Sequence, residues 1–367
     1  MKTSTKTIMQ AFTGGFASPA DHSGIAARLA STGNATGADA LIIGWNAGAP
    51  YDDVVSRLHG QQKEVFLWLP VFSEYGDDAA VALDYSGERH KGAVSGADDD
   101  FTFACPAAPG NIGLAAEYYD RHFGGFGFDG VFLDKIRFSS FAGGFRSGMG
   151  CFCRECRDFY ESEGVDTAAF SEMMESDRKD FLVPSALHGM RYAFEDPLID
   201  GLFRARAKLI TSSVKRVADM FRQRGLKVGL DVFAPPLSYW VGQDCGALGG
   251  FADFIKPMIY RVTDAPAGIP YELRHMKAEL TENGCDIGNA LEKLWGTEDL
   301  TSGSSFMKQL KSLETMPCPV YPGVEVNKAA FCGTDAAYVE NALKAIGGSG
   351  VAGCALSWNV LADTVYP

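Results

Sequence analysis

The sequence predicts an α/β fold, specifically a (β/α)8 barrel. Two observations predict it: eight short apolar runs are spaced along the chain, and helix-forming stretches alternate with them from end to end. The runs at 7–12, 40–45, 65–72, 130–138, 227–233, 254–260, 320–326 and 353–358 read as strands. Most are apolar throughout instead of alternating, the pattern of parallel strands covered on both faces. Segments 24–31, 52–59, 112–122, 271–281 and 336–346 read as helices between them. No second compositional block follows, so the 367 residues are expected to form one barrel domain with insertions, beyond the ~250 residues of a typical barrel. An open doubly wound sheet is the alternative. It would carry a Gly-rich phosphate turn after the first strand, of which Thr13-Gly14-Gly15-Phe16 keeps only a trace.

Two insertions enlarge the barrel. Segment 73–104, after the third strand, is polar and contains Asp98, Asp99 and Asp100 in a row, which reads most simply as a solvated loop. Segment 139–197, after the fourth strand, contains clustered cysteines and then helix-forming sequence. Both follow strands, so both are expected over the face where barrel enzymes work.

The net charge is −13, and no cluster of the 33 lysines and arginines escapes that balance, which argues against a nucleic-acid partner. No run approaches a membrane span, and the opening residues lack the apolar stretch of a signal peptide, so a cytoplasmic location is expected. The sequence leaves the oligomeric state open, a homo-oligomer included, and no motif calls for an organic cofactor.

Nine cysteines at uneven spacing do not suggest a secreted disulfide framework. Three fall within Cys151-Phe-Cys153-Arg-Glu-Cys156, just after the glycines 143, 144, 148 and 150, and Cys105 precedes the third helix. Three clustered thiols and one distant thiol suit a closed four-coordinate zinc site with a structural role, since four thiolates leave no position open for water. Free buried cysteines are the plainer alternative.

The order Cys105, an acidic fourth strand, then CxCxxC resembles the zinc site of the family-42 β-galactosidases, where one cysteine precedes the fourth strand and a CxCxxC follows it. Phe128-Asp-Gly-Val-Phe-Leu-Asp134 resembles the fourth-strand motif of the family-18 chitinases, matching at Asp129, Gly130 and Asp134. Phe132 and Ile136 stand where that motif has its middle aspartate and its catalytic glutamate, and Asp134-Lys135 replaces the Asn-Glu pair of family 42. The resemblance implies a glycosidase-like barrel without naming a substrate.

Residues at the C-terminal ends of barrel strands point into one shared cavity. Strand four delivers Asp134, strand five Asp231, strand six Lys256 and Tyr260, strand seven Glu325, and strand eight Trp358 and Asn359. A carboxylate within an apolar strand is costly unless it is paired. Each could therefore be structural, bridged to Lys135, Arg137, Lys256 or Arg261. Glycoside hydrolysis needs two carboxyl groups, one to protonate the leaving oxygen and one to attack or to activate water. Strands four and seven face each other across the barrel, so Asp134 and Glu325 are the expected pair, with their roles left unassigned. The resemblance to the large barrel-glycosidase clan implies a strand-four acid/base and a strand-seven nucleophile, whereas in other barrel glycosidases the strand-four aspartate is the nucleophile. Asp231, Lys256, Tyr260, Lys135 and Arg137 are expected to contact a carbohydrate, and Trp358, Asn359 and Trp45 to floor and flank it. Two other functions compete: a carbohydrate-binding barrel without catalysis, and a Schiff-base aldolase or lyase using Lys256.

Overall fold

The computed structural model describes residues 6–16, 20–89, 102–177, 179–327 and 331–360, with the side chains of 358–360 outside the described set. Eight parallel strands form one sheet: β1 (Lys6–Phe12), β2 (Ala40–Gly44), β3 (Glu64–Pro70), β4 (Gly130–Asp134), β5 (Lys227–Phe233), β6 (Phe254–Met258), β7 (Gly323–Glu325) and β8 (Gly353–Val360). Their order is β6-β5-β4-β3-β2-β1-β8-β7. A parallel bridge between Ile255 and Val320 then joins β6 to the segment entering β7 and nearly closes the ring. The main-chain bonds of that seam are Ile255 N to Pro319 O at 3.0 Å and Tyr321 N to Ile255 O at 2.9 Å. The fold is the predicted (β/α)8 barrel.

Strand alternation sorts the side chains into two cores. Ile8, Ile42, Phe66, Phe132, Phe254 and Tyr321 fill the barrel interior. Their neighbours in sequence, such as Leu41, Val65, Val131 and Ile255, belong to the outer core that packs against the helices. The interior is crowded with rings, Phe254 stacking on Phe132 at 5.9 Å and meeting Phe66 edge-on at 5.2 Å. Gly229 is the accommodation for them, because a Cβ there would lie 2.2 Å from Phe254 Cζ.

Several boundaries differ from the sequence expectation. The fourth run was expected to stay extended to 138, but β4 stops at Asp134, because Lys135 adopts φ 51° and turns the chain over the barrel mouth. The seventh strand shrinks to three residues. A 26-residue helix, Pro197–Arg222, begins where the Asp196 side chain caps the amides of Leu198 and Ile199.

The two insertions lean on each other above the barrel. The first pairs Val81 with Ala104, and Asp98, Asp99 and Asp100 lie outside the described residues. The second contains helices Arg154–Ser162 and Thr167–Met174 and a hairpin of Ala186–His188 with Arg191–Ala193. Fully buried Arg206, from the long helix, donates to the carbonyls of Gly148, Met149 and Gly150 and so ties the glycine-rich turn to the barrel layer. No described helix is long and apolar enough to cross a membrane.

Candidate active site

A cavity of about 130 Å3 opens at the C-terminal ends of the strands. Its wall takes Gln10 and Phe12 from β1, Trp45 just past β2, Trp68 from β3, Asp134, Lys135 and Arg137 at and after β4, and Asp231 and Phe233 from β5. Met258, Tyr260, Pro266 and Ala267 close the β6 side. The space is close to the ~150 Å3 that admits one benzene ring, so it suits a single six-membered ring.

Asp134 and Asp231 meet there through strand register. Leu133 pairs with Leu230, and one residue further on the two aspartates stand side by side on neighbouring strands. Asp134 is half-buried; its Oδ2 accepts from Trp68 Nε1 at 2.9 Å and its Oδ1 from the Lys135 amide at 2.5 Å. These two donors fix the plane of the carboxyl group. Asp231 is buried, with Oδ2 accepting from Lys256 Nζ at 2.9 Å, while Oδ1 has no hydrogen-bond partner among the described residues. Burial pushes the Asp231 carboxyl up to about 7; Lys256 opposes that rise and the nearby Asp134 charge adds to it.

Lys256 lies behind this wall and takes no part in lining it. Its ammonium, fully buried, donates to Gln10 Oε1 at 2.6 Å, Asp231 Oδ2 at 2.9 Å and the Tyr260 hydroxyl at 2.8 Å. Burial lowers its pKa and Asp231 holds it up. Lys256 is engaged by three acceptors and does not line the cavity, so it is not placed to meet a carbonyl substrate there.

Above the aspartates, Lys135 pairs with Glu74, and both residues have positive φ, at 51° and 78°. Arg137 is 5% exposed and packs against the rings of Phe103 and Phe233, its guanidinium carbon 4.5 and 4.3 Å from their centres, with Nη1 donating to Phe138 O at 2.9 Å. Burial pulls the Arg137 pKa down while Glu272, Asp134 and Asp231 hold it up. Trp45 forms edge-on contacts with Phe12 and Trp68, each at 4.8 Å, and its buried Nε1 has no hydrogen-bond partner among the described residues.

Glu325 does not join this group. It is fully buried but absent from the cavity wall. Its Oε1 accepts from Val262 N at 3.0 Å and Thr263 Oγ1 at 3.4 Å, and its Oε2 from the Tyr338 hydroxyl. Burial raises its pKa, partly offset by Tyr338 and the Val262 amide. Of the expected pair, Asp134 lines this cavity and Glu325 does not; Asp231 from the neighbouring strand lines it beside Asp134. The side chains of Trp358 and Asn359 lie outside the described residues. Sequence reading missed Gln10, Phe12, Trp68, Phe233 and Met258. Trp68 was accessible in principle, because it has the inward parity of Phe66 and sits two residues before Pro70, the register partner of Asp134.

Cys105, Cys151, Cys153 and Cys156 are all buried, and their sulfurs lie within 4.8 Å of one another. Cys105 Sγ is 3.2 Å from Cys153 Sγ and 3.5 Å from Cys156 Sγ. A tetrahedral site with metal–sulfur bonds of ~2.3 Å needs sulfurs about 3.8 Å apart, so the four thiols fit a metal ion after small adjustments. The amides of Leu83 and Ala107 donate to Cys151 and Cys105, each at 3.3 Å, as suits thiolates. A metal here would clasp the two insertions together, at a distance in sequence of two residues from Phe103.

No protein-family model matches the chain, and no curated protein resembles it in sequence. Among solved structures, the catalytic domain of a β-amylase from Paenibacillus polymyxa aligns over 95% of this chain and 92% of its own, with 9% identity and a TM-score of 0.52. An α-L-fucosidase isoenzyme from Paenibacillus thiaminolyticus aligns over 94% of this chain and 49% of its own, at 12% identity and a TM-score of 0.46. A family-18 chitinase from Pseudoalteromonas aurantia aligns over 98% and 95%, at 10% identity and a TM-score of 0.43. At 9% identity the β-amylase likeness establishes a shared barrel fold.

Proposed function

We propose that the chain is a glycoside hydrolase that acts on a terminal sugar, using Asp134 and Asp231 as its two carboxyl groups. The observation that carries this reading is the pair of aspartates side by side at the wall of a one-ring cavity, one of them with an unpartnered oxygen. Asp231, whose pKa burial raises to about 7, is the acid that protonates the leaving oxygen. Asp134, held in plane by Trp68 and the Lys135 amide, attacks the anomeric carbon. Neighbouring strands lie about 4.8 Å apart, which favours the ~5–5.5 Å carboxyl separation of retaining enzymes over the ~6.5–9.5 Å of inverting ones. Asp231 then returns as base to activate the water that releases the sugar. The aromatic wall of Phe12, Trp45 and Trp68 suits the C–H face of a pyranose, and the vacant Trp45 Nε1–H suits a hydroxyl.

Glu325 has a positioning role in this scheme, holding the loop after β6 at Val262 and Thr263. The four cysteines bind one structural Zn2+, which secures the insertions over the cavity. The test of the reaction is a panel of aryl glycosides in both anomeric forms, with the first-formed product followed by proton NMR. Release of the sugar with retained configuration supports the scheme. Inversion would remove Asp134 as nucleophile, and a complete absence of cleavage across the panel would favour a binding barrel without catalysis.

A further inference from the structure

Resting on the glycosidase reading, we infer that the sugar bound in this cavity carries a carboxylate, and that Arg137 recognises it. A guanidinium has five N–H donors. Among the described residues Arg137 uses Nη1 alone, towards Phe138 O at 2.9 Å, and forms no ion pair. It is nevertheless 5% exposed and lies on the cavity wall. Unlike buried Arg206, which spends its guanidinium on main-chain carbonyls, Arg137 keeps N–H donors without a described protein acceptor beside the cavity, and nearby Glu272, Asp134 and Asp231 act on it only through space.

The other cations near the cavity are already committed. Lys135 is paired with Glu74, and Lys256 spends its three N–H groups on Gln10, Asp231 and Tyr260. Asp134 already accepts from Trp68 and the Lys135 amide, and it makes no ion pair with Arg137. The rings of Phe103 and Phe233 pack against the guanidinium, with their centres 4.5 and 4.3 Å from its carbon. The N–H edge of a guanidinium is the planar fork that meets a carboxylate through two parallel hydrogen bonds. On a pyranose, the carboxylate that leaves the anomeric carbon and the ring hydroxyls unaltered is the exocyclic one at C6. The ligand class is therefore a terminal uronic acid. The cavity of about 130 Å3 matches one such ring.

Free D-glucuronate and D-galacturonate, each compared with its parent hexose, test this by ligand-observed NMR titration. Free sugars populate both anomers, so the unknown anomeric preference does not confound the comparison. At least one uronate is expected to bind about 10- to 100-fold more tightly than its hexose, the range for a charge-assisted hydrogen-bonded pair. Arg137→Met should weaken that uronate at least 10-fold more than it weakens the hexose, and Arg137→Lys should recover part of the difference. Should Arg137→Met fail to fold, the comparison in the unaltered chain decides the matter alone. Hexoses that bind as well as both uronates would overturn the inference and leave the glycosidase reading standing. An equal loss of uronate and hexose in Arg137→Met would overturn it too, marking Arg137 as a support for Asp134. If no sugar binds at all, the carbohydrate reading itself falls.

Discussion

Replacing Asp231 with Asn should make the protein's stability less sensitive to pH, by an amount that the structure sets. The carboxyl is pushed from the ordinary aspartate value of 3.8 to about 7 by burial, with the Lys256 attraction already included in that figure. At about 1.4 kcal/mol per pH unit, the difference between folded and unfolded chains is worth about 4 kcal/mol. The folded-state value lies above the unfolded one. The contribution of protonated Asp231 is therefore fully present below about pH 4 and is lost as the pH rises through about 7. Asn keeps the shape of the protonated acid and has no proton to lose. Urea denaturation followed by circular dichroism, run on both proteins from pH 4 to pH 8, isolates the effect, because groups common to both cancel in the difference. The variant should gain about 4 kcal/mol relative to the parent across that range. A difference that stays flat with pH would show that Asp231 titrates as an exposed aspartate does, and would remove its candidacy as the acid.

Four further outcomes follow from the same geometry. With Asp231 as the acid, turnover should fall above about pH 7 as that carboxyl ionises, and a pH–rate profile checks it. Glu325→Gln leaves one N–H2 group facing donors from Val262, Thr263 or Tyr338; it should cost about 1–3 kcal/mol in thermal or urea unfolding, with kcat changed only a few-fold. Trp68→Phe removes the donor to Asp134 Oδ2 and should lower kcat on the order of 10-fold without altering secondary structure. Metal analysis should find about one zinc per chain, and Cys156→Ser should release it and expose the two insertions to limited proteolysis before the barrel unfolds.

The barrel was legible because its strands are written as unbroken apolar runs, and the insertions were legible because their polar, glycine-rich sequence interrupts an otherwise regular alternation. Asp134, Asp231 and Lys256 could be singled out for one physical reason: a charge inside an apolar strand is too costly to be incidental. Where those side chains go was another matter. Glu325 occupies a strand-end position like Asp134, yet its carboxylate is drawn aside by the loop after β6 and by Tyr338, which arrives from a helix thirteen residues later. Nothing local in the Pro-Gly-Val-Glu sequence announces those donors.

Trp68 and Gln10 were hidden for the opposite reason. A tryptophan or a single amide in a strand such as Glu64–Pro70 or Lys6–Phe12 reads as core, and only the closed register turns it towards a carboxylate or an ammonium. The extent of β4 was likewise set by one residue, Lys135, whose positive φ cannot be read from an apolar run that continues through Ile136 and Phe138. The cysteines were easier. Their spacing is local, and bringing in Cys105 needed only the expectation that both insertions stand on the same face.

If Asp134 and Asp231 are the working pair, kcat measured side by side for Asp134→Asn, Asp231→Asn and Glu325→Gln on one cleaved aryl glycoside separates them from Glu325. Each aspartate variant should lose turnover on the order of 10³-fold or more, as expected of groups that act in the transition state, while Glu325→Gln stays within a few-fold of the parent. Near-normal turnover in Asp231→Asn together with a collapse in a folded Glu325→Gln would contradict the account and restore the pairing across the barrel.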